Sequence, residues 1–229
     1  MVRDNIEKIR ENIKRAAEKS GRTEKDVTLL AVTKTIDFGP MEEAKAAGIL
    51  EFGENRVQEL LRKKPRFEGV LWHLIGHLQT NKVNKIVGEA ALIHSVDSLH
   101  LAEAISKRSL ELGVTSQILI EVNMAKEEQK FGVFPEKAEE LVRQIAALPG
   151  IKVRGLMTVA PFTENPEENR GYFRGLRELL IDIGSKNIDN VDMNILSMGM
   201  TGDYEVAIEE GATIVRIGTS IFGERHYDK

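Results

Sequence analysis

Eight short apolar runs recur along the chain, at residues 27–32, 49–52, 70–75, 91–96, 117–122, 151–159, 191–197 and 213–217. Between them stand stretches with apolar residues at helical spacing, residues 41–47, 57–62, 99–112, 135–148 and 166–183. Several of these are opened by Pro, Asp, Asn or Ser near the first turn, where such residues favour helix entry. Strands alternating with helices in this way leave two architectures, a closed (β/α)8 barrel or an open doubly wound sheet. The count of eight favours closure. So does the near-continuous hydrophobicity of the runs, as expected of parallel strands covered on both faces. At 229 residues the chain lies between the compact limit of about 200 and the typical size of about 250 for such a barrel. The expected fold is therefore α/β, a single TIM barrel over residues 1–229, because no Pro/Gly/Ser-rich linker or composition shift divides it. An extra amphipathic helix precedes the first strand, with Ile6, Ile9, Ile13 and Ala17 on one face and Gly21 as its stop.

Composition narrows the function. With 32 Lys+Arg against 36 Asp+Glu the formal charge is -4, so no basic excess points to nucleic acid, and a small-molecule partner is expected. The chain has no cysteine, which removes disulfides, thiolate metal ligands and thiol nucleophiles and agrees with a reducing compartment. The charged first residues lack the apolar segment of a secretory signal, and no window approaches the 18 or so apolar residues of a membrane span. A cytoplasmic monomer without membrane attachment is expected.

In either architecture the chemistry lies at the ends of the strands. Lys34 ends the first, Asn55 follows the second, His77 the third and Asn123 the fifth; "SMGMTGD" follows the seventh and "RIGTSIFG" ends the eighth. Leu30, Val32 and Lys34 share one side of their strand. If that side faces inward, an amine enters the mouth of an apolar tube, where desolvation favours its neutral, nucleophilic form. A lysine at a strand end also snorkels readily to water, so the other loops must decide. Ser197, Gly199 and Thr201 after strand seven, with Gly218, Thr219 and Ser220 after strand eight, combine backbone that can approach an anion with hydroxyl donors, at the usual phosphate position of the barrel.

An amine that captures a carbonyl, set beside a phosphate cradle, suits a phosphorylated aldehyde. Pyridoxal 5'-phosphate meets this description, and so does the substrate of a Schiff-base sugar-phosphate aldolase. Arg216 discriminates between them. It shares the parity of Ile214 and precedes the phosphate turn, within reach of a pyridine nitrogen; a guanidinium only donates, so that nitrogen stays unprotonated and the ring is a weak electron sink.

The segments "LLAVTKT", "FGENRVQE", "WHLIGHLQTNK", "VNMAKEEQKFG", "GLMTVAP" and the block from Ser197 to Gly223 resemble the pyridoxal-phosphate homeostasis protein family, single-domain relatives of the alanine-racemase barrel. The resemblance runs from the first strand nearly to the last helix. It implies that Lys34 forms the Schiff base, that Ser197, Gly199, Gly218 and Thr219 hold the phosphate, that Arg216 faces the pyridine nitrogen and that Asn55 lines the cofactor. Arg56 stands where the family often has tyrosine, and Thr201 where it often has serine, a swap that keeps the hydroxyl. The implied role is a carrier that buffers pyridoxal phosphate or delivers it to apo-enzymes. The runner-up is a weak pyridoxal-dependent amino-acid racemase, and efficient turnover is not implied because no second base is evident.

His73, His77 and His94 read as packed or cofactor-lining residues, since no carboxylate is spaced to complete a metal triad; no metal site is expected. The run "AKEEQK" reads as a solvated loop, with a lid as the alternative.

Overall fold

The computed structural model describes residues 1–223. Its eight strands are β1 (Thr28–Val32), β2 (Glu51–Glu54), β3 (Leu71–Leu74), β4 (Leu92–Val96), β5 (Ser116–Glu121), β6 (Ile151–Met157), β7 (Val191–Met200) and β8 (Ile214–Ile217). Each pairs in parallel with the next, and β8 returns to β1 through the register Thr28↔Ile214 to Ala31↔Ile217. That last pairing closes the barrel and excludes the open sheet.

The helices are α1 (Val2–Lys19), α2 (Phe38–Ala46), α3 (Val57–Lys63), α4 (Val83–Ile86), α5 (Leu99–Leu112), α6 (Pro135–Ala146), α7 (Arg170–Ser185), α8 (Tyr204–Glu209) and α9 (Thr219–Phe222). The additional helix is α1. Its buried stripe of Val2, Ile6, Ile9, Ile13, Ala16 and Ala17 belongs to a helix that packs on α2, α8 and α9, each large aliphatic contributing about 1.5–3 kcal/mol of burial. Polar contacts fix its direction: Asn5 Nδ2 donates to the Ile221 carbonyl at 2.9 Å and Asn12 Nδ2 to the Tyr204 hydroxyl at 2.8 Å. The segment expected to be one helix over 166–183 begins as a 3-10 turn, Pro166–Asn169, and becomes α-helical only in α7. The one-turn α4 carries too little pattern to be seen in the sequence.

Two apolar clusters result. The larger lies between the strands and the helices. Inside the barrel is a much smaller one of Leu30, Leu92, Leu119, Met157 and Ile214, joined by Ile75 and Ile195. The remaining interior is polar, and it sets up the site. No helix among the described residues is long and apolar enough to cross a membrane.

Candidate functional site

A pocket of about 700 Å³ opens at the C-terminal ends of the strands, lined among others by Val32, Lys34, Asn55, Ile75, Arg216, Gly218 and Thr219. Its volume lies in the range of small-molecule sites, about 300–1,000 Å³. Leu30 packs in the inner cluster and Val32 and Lys34 line the pocket above it, so the shared parity does carry the amine inward. Lys34 sits half-buried in the turn just after β1.

That turn is held from outside the barrel. Lys63 on α3 is fully buried, and its Nζ donates at 2.7 Å both to the Thr33 carbonyl and to Glu54 Oε1. Glu54 also accepts from the Thr33 hydroxyl at 2.6 Å. Burial pushes the Glu54 carboxyl above its ordinary range despite the opposing pull of Lys63 and Thr33. Next to Lys34, Thr35 adopts a φ of 61°, costly for a β-branched residue; its N–H donates to Glu59 Oε2 at 3.2 Å. Asn55 is seated by a close approach of backbone. A Cβ at Gly76 would lie 2.4 Å from the Asn55 carbonyl oxygen.

Arg216 lies on the pocket wall, only 4% exposed. Its Nη1 donates to Ser197 Oγ at 2.7 Å and its Nη2 to the Thr158 carbonyl at 2.8 Å. Burial pulls this guanidinium down to about 10, while Glu121 and Asp203 act to raise it; it stays charged at neutral pH. Glu121, inward like Leu119 on β5, is pushed up to about 7 by burial and by the Asp97 charge, against the attraction of Arg216.

Two residues of the expected phosphate cradle are elsewhere. Ser197 is fully buried and does not line the pocket; its hydroxyl meets Arg216 and His94 inside the barrel. Gly199 is also off the pocket wall. Its φ is 89°, and a Cβ there would lie 2.6 Å from the Ala207 Cβ, so the glycine lets β7 pack against α8. The cause is a register shift. Ser197 pairs with Ile214 and Met200 with Arg216, three steps on β7 against two on β8, so the rim is reached at Met200 and not at Ser197. Met200, Thr201 and Gly202 line the pocket instead, beside Gly218 and the exposed Thr219. Asp203 fixes this turn, accepting from the Met200 N–H at 2.7 Å and from Asn169 Nδ2 at 2.8 Å.

Sequence reasoning missed Lys63, Glu121 and Lys130. The signal for Lys63 was its spacing of three from Leu60 and six from Val57, all buried on α3; for Glu121 it was the parity with Leu119. Lys130 reaches the pocket edge from the loop between β5 and α6, and its Nζ is 2.6 Å from Glu127 Oε1. That loop is pinned by Asn123, whose Nδ2 donates to the Glu127 carbonyl at 2.8 Å. His77 stacks on Phe131 of the same loop, ring centroids 3.8 Å apart. Among the described residues no group of three or more His, Asp or Glu is placed to hold a metal ion.

The family model for the N-terminal domain of alanine racemase matches residues 5–226. The chain belongs to this family. The pyridoxal phosphate homeostasis protein of Aquifex aeolicus is 47% identical over 226 residues, 98% of each chain. That of Pseudomonas aeruginosa is 39% identical, covering 99% of this chain and 96% of its own. The structure of PipY from Synechococcus elongatus with pyridoxal phosphate (PLP) bound is 32% identical, with a TM-score of 0.84 over 97% of this chain and 100% of PipY. Alanine racemase of Clostridium difficile, 16% identical with a TM-score of 0.76, covers 99% of this chain, which spans only 57% of that enzyme; it shares the fold. The resemblance read from the motifs is borne out at the level of family and barrel.

Proposed function

We propose that this chain binds pyridoxal 5'-phosphate in the pocket at the barrel mouth and acts as a carrier in its homeostasis, holding the cofactor and returning it to apo-enzymes. The observation that carries this is the convergence of three chemistries in one pocket: the Lys34 amine, the fixed Arg216 guanidinium, and the hydroxyl- and glycine-bearing turns at Thr201–Gly202 and Gly218–Thr219. The donor set fits the group. The cofactor's aldehyde supplies the carbon to which an amine bonds. Lys34 would provide that amine, and the turn held by Lys63 keeps it at the mouth. Thr201, Gly202, Gly218 and Thr219, which line the pocket, would hold the phosphate. Arg216 presents only donors to a ring nitrogen, which favours its unprotonated form and disfavours carbanion chemistry. Asn55 lines the face between them.

The pocket's other titratable groups favour a carrier over a racemase. Besides Lys34 they are Lys130, Asp203 and Arg216; Lys130 is paired with Glu127, and Asp203 accepts hydrogen bonds at both oxygens. The relatives carrying the homeostasis name and the PLP-bound PipY support the same reading.

The test is borohydride reduction of the protein loaded with pyridoxal phosphate, followed by peptide mass spectrometry. A pyridoxyl group on Lys34, absent from Lys34→Ala, is expected. Labelling of Lys130 or another lysine refutes the assignment, and rapid α-proton exchange of alanine by the loaded wild type refutes the carrier role.

A further inference from the structure

Inside the barrel a chain of side chains runs from one mouth to the other. At the N-terminal mouth Glu51 and His73 line a second cavity, of about 470 Å³. His73 Nε2 is 3.1 Å from Glu51 Oε2, and His73 Nδ1 is 2.9 Å from His94 Nε2. His94 Nδ1 is 2.9 Å from Ser197 Oγ, which accepts from Arg216 Nη1 at 2.7 Å. Arg216 borders the upper pocket. His94 and Ser197 are fully buried, and His73 is 4% exposed.

Proton positions follow from one end. A guanidinium only donates, so the Ser197 oxygen is an acceptor toward Arg216. The buried hydroxyl hydrogen needs an acceptor of its own, and among the described residues its remaining partner is His94 Nδ1. That nitrogen must be bare. Neutral His94 then carries its hydrogen on Nε2 and donates to His73 Nδ1; His73 carries its own on Nε2 and donates to the Glu51 carboxylate. Every donor meets an acceptor, and every bond points from the cation toward the anion, an alignment in which each bond polarises the next. The reverse tautomers leave the Ser197 hydrogen orphaned in the core.

We propose that His94, backed by His73 and Glu51, is a positioning residue for Arg216: by accepting the hydrogen bond of the Ser197 hydroxyl it turns the hydroxyl oxygen toward the guanidinium and fixes the donors that Arg216 presents to the pocket. The ligand consequence rests on the cofactor reading above; the tautomers do not. The N-terminal mouth, which in this fold ordinarily serves stability, is thereby tied to the far pocket.

Nitrogen-15 NMR of histidine-labelled, ligand-free protein at neutral pH reads the tautomers directly. Both His73 and His94 are expected neutral with hydrogen on Nε2, and a hydrogen on His94 Nδ1 overturns the relay. Glu51, at the rim of the cavity, supplies the variants, since replacing buried His94 endangers folding. Glu51→Leu removes the acceptor of His73. It should mix the His73 tautomers and weaken deoxypyridoxine 5'-phosphate, a probe without the aldehyde, by about fivefold, as for loss of one modest hydrogen bond. Glu51→Gln keeps an acceptor oxygen and should restore both. A Leu variant that leaves either tautomers or affinity unchanged overturns the positioning role. Failure of the wild type to bind the probe would instead sink the cofactor reading, with the tautomer result still deciding the relay.

Discussion

Replacing Glu121 by Gln should remove a pH dependence of stability that runs opposite to ordinary acid denaturation. Glu121 is 7% exposed, and burial with the neighbouring Asp97 charge pushes its carboxyl from 4.5 up to about 7. Between those values the native state keeps a proton that the unfolded chain has released, so stability is full below the unfolded value and declines as pH rises through the native one. The whole effect is about 3 kcal/mol, at 1.36 kcal/mol per pH step, and about 2.5 kcal/mol of it develops between roughly pH 5 and pH 8.5. A neutral amide of the same shape has no such term. Buried His94, held well below the usual histidine range by desolvation, then by His73 and Arg216, contributes with the opposite sign, its stabilising effect being lost as pH falls below the unfolded value. The comparison must therefore be wild type against variant, in which His94 and the surface carboxylates cancel. Urea unfolding at the two pH values is the assay. With a slope of about 2–3 kcal/mol/M, the gap between the two midpoints should shift by about 1 M in favour of Glu121→Gln at the higher pH. Parallel pH profiles would show that Glu121 is not desolvated beside Arg216 as argued.

Lys63→Met should destabilise the fold by about 3–5 kcal/mol, because it strands the fully buried Glu54, and adding Glu54→Leu should recover most of that loss in urea melts. Gly199→Ala, which places a Cβ 2.6 Å from Ala207 at a positive φ, should cost about 2–4 kcal/mol while leaving the affinity ratio of pyridoxal phosphate to pyridoxal unchanged. Thr201→Val removes a hydroxyl from the pocket wall and should reduce that ratio by about three- to tenfold, read by equilibrium dialysis; equal losses for both ligands would remove Thr201 from the phosphate contact. Thr35→Gly relieves the φ of 61° and should not lower stability by more than about 0.5 kcal/mol, yet it should slow adduct formation by Lys34 in stopped-flow absorbance.

The barrel was legible because its strands are apolar on both faces and separated by helices with clear stripes. Lys34 and Arg216 were legible by simple alternation, each two residues beyond an inward position or its continuation, Leu30 to Val32 to Lys34 and Ile214 to Arg216. Alternation fails where the ladder slips. The extra residue of β7 between Ser197 and Met200 lowers Ser197 into the layer of Ile214 and hands the rim to Met200–Gly202, which no count along the sequence reveals. The histidine contacts were hidden for a related reason. His73 and His94 lie on neighbouring strands whose register pairs His73 with Leu92, so their meeting depends on strand stagger and not on sequence spacing.

The division between the two apolar clusters explains how the barrel tolerates such an interior. A tube filled with layers of Val, Ile and Leu has no room for Glu51, His73, His94, Glu121, Ser197 and Arg216; here the inner cluster is reduced to a few side chains and the larger one lies outside, under the helices. Burial of that outer cluster, at about 25 cal/mol per Å² of apolar surface, carries the fold. The inside is thereby released from packing duty and can hold ionisable groups, provided each donor finds an acceptor. Removing Glu51, the member of the interior chain at the rim, should accordingly disturb the pocket more than the barrel, whereas removing an outer residue such as Phe52 or Trp72, both buried in the larger cluster, should unfold the protein before it alters the chemistry of the site.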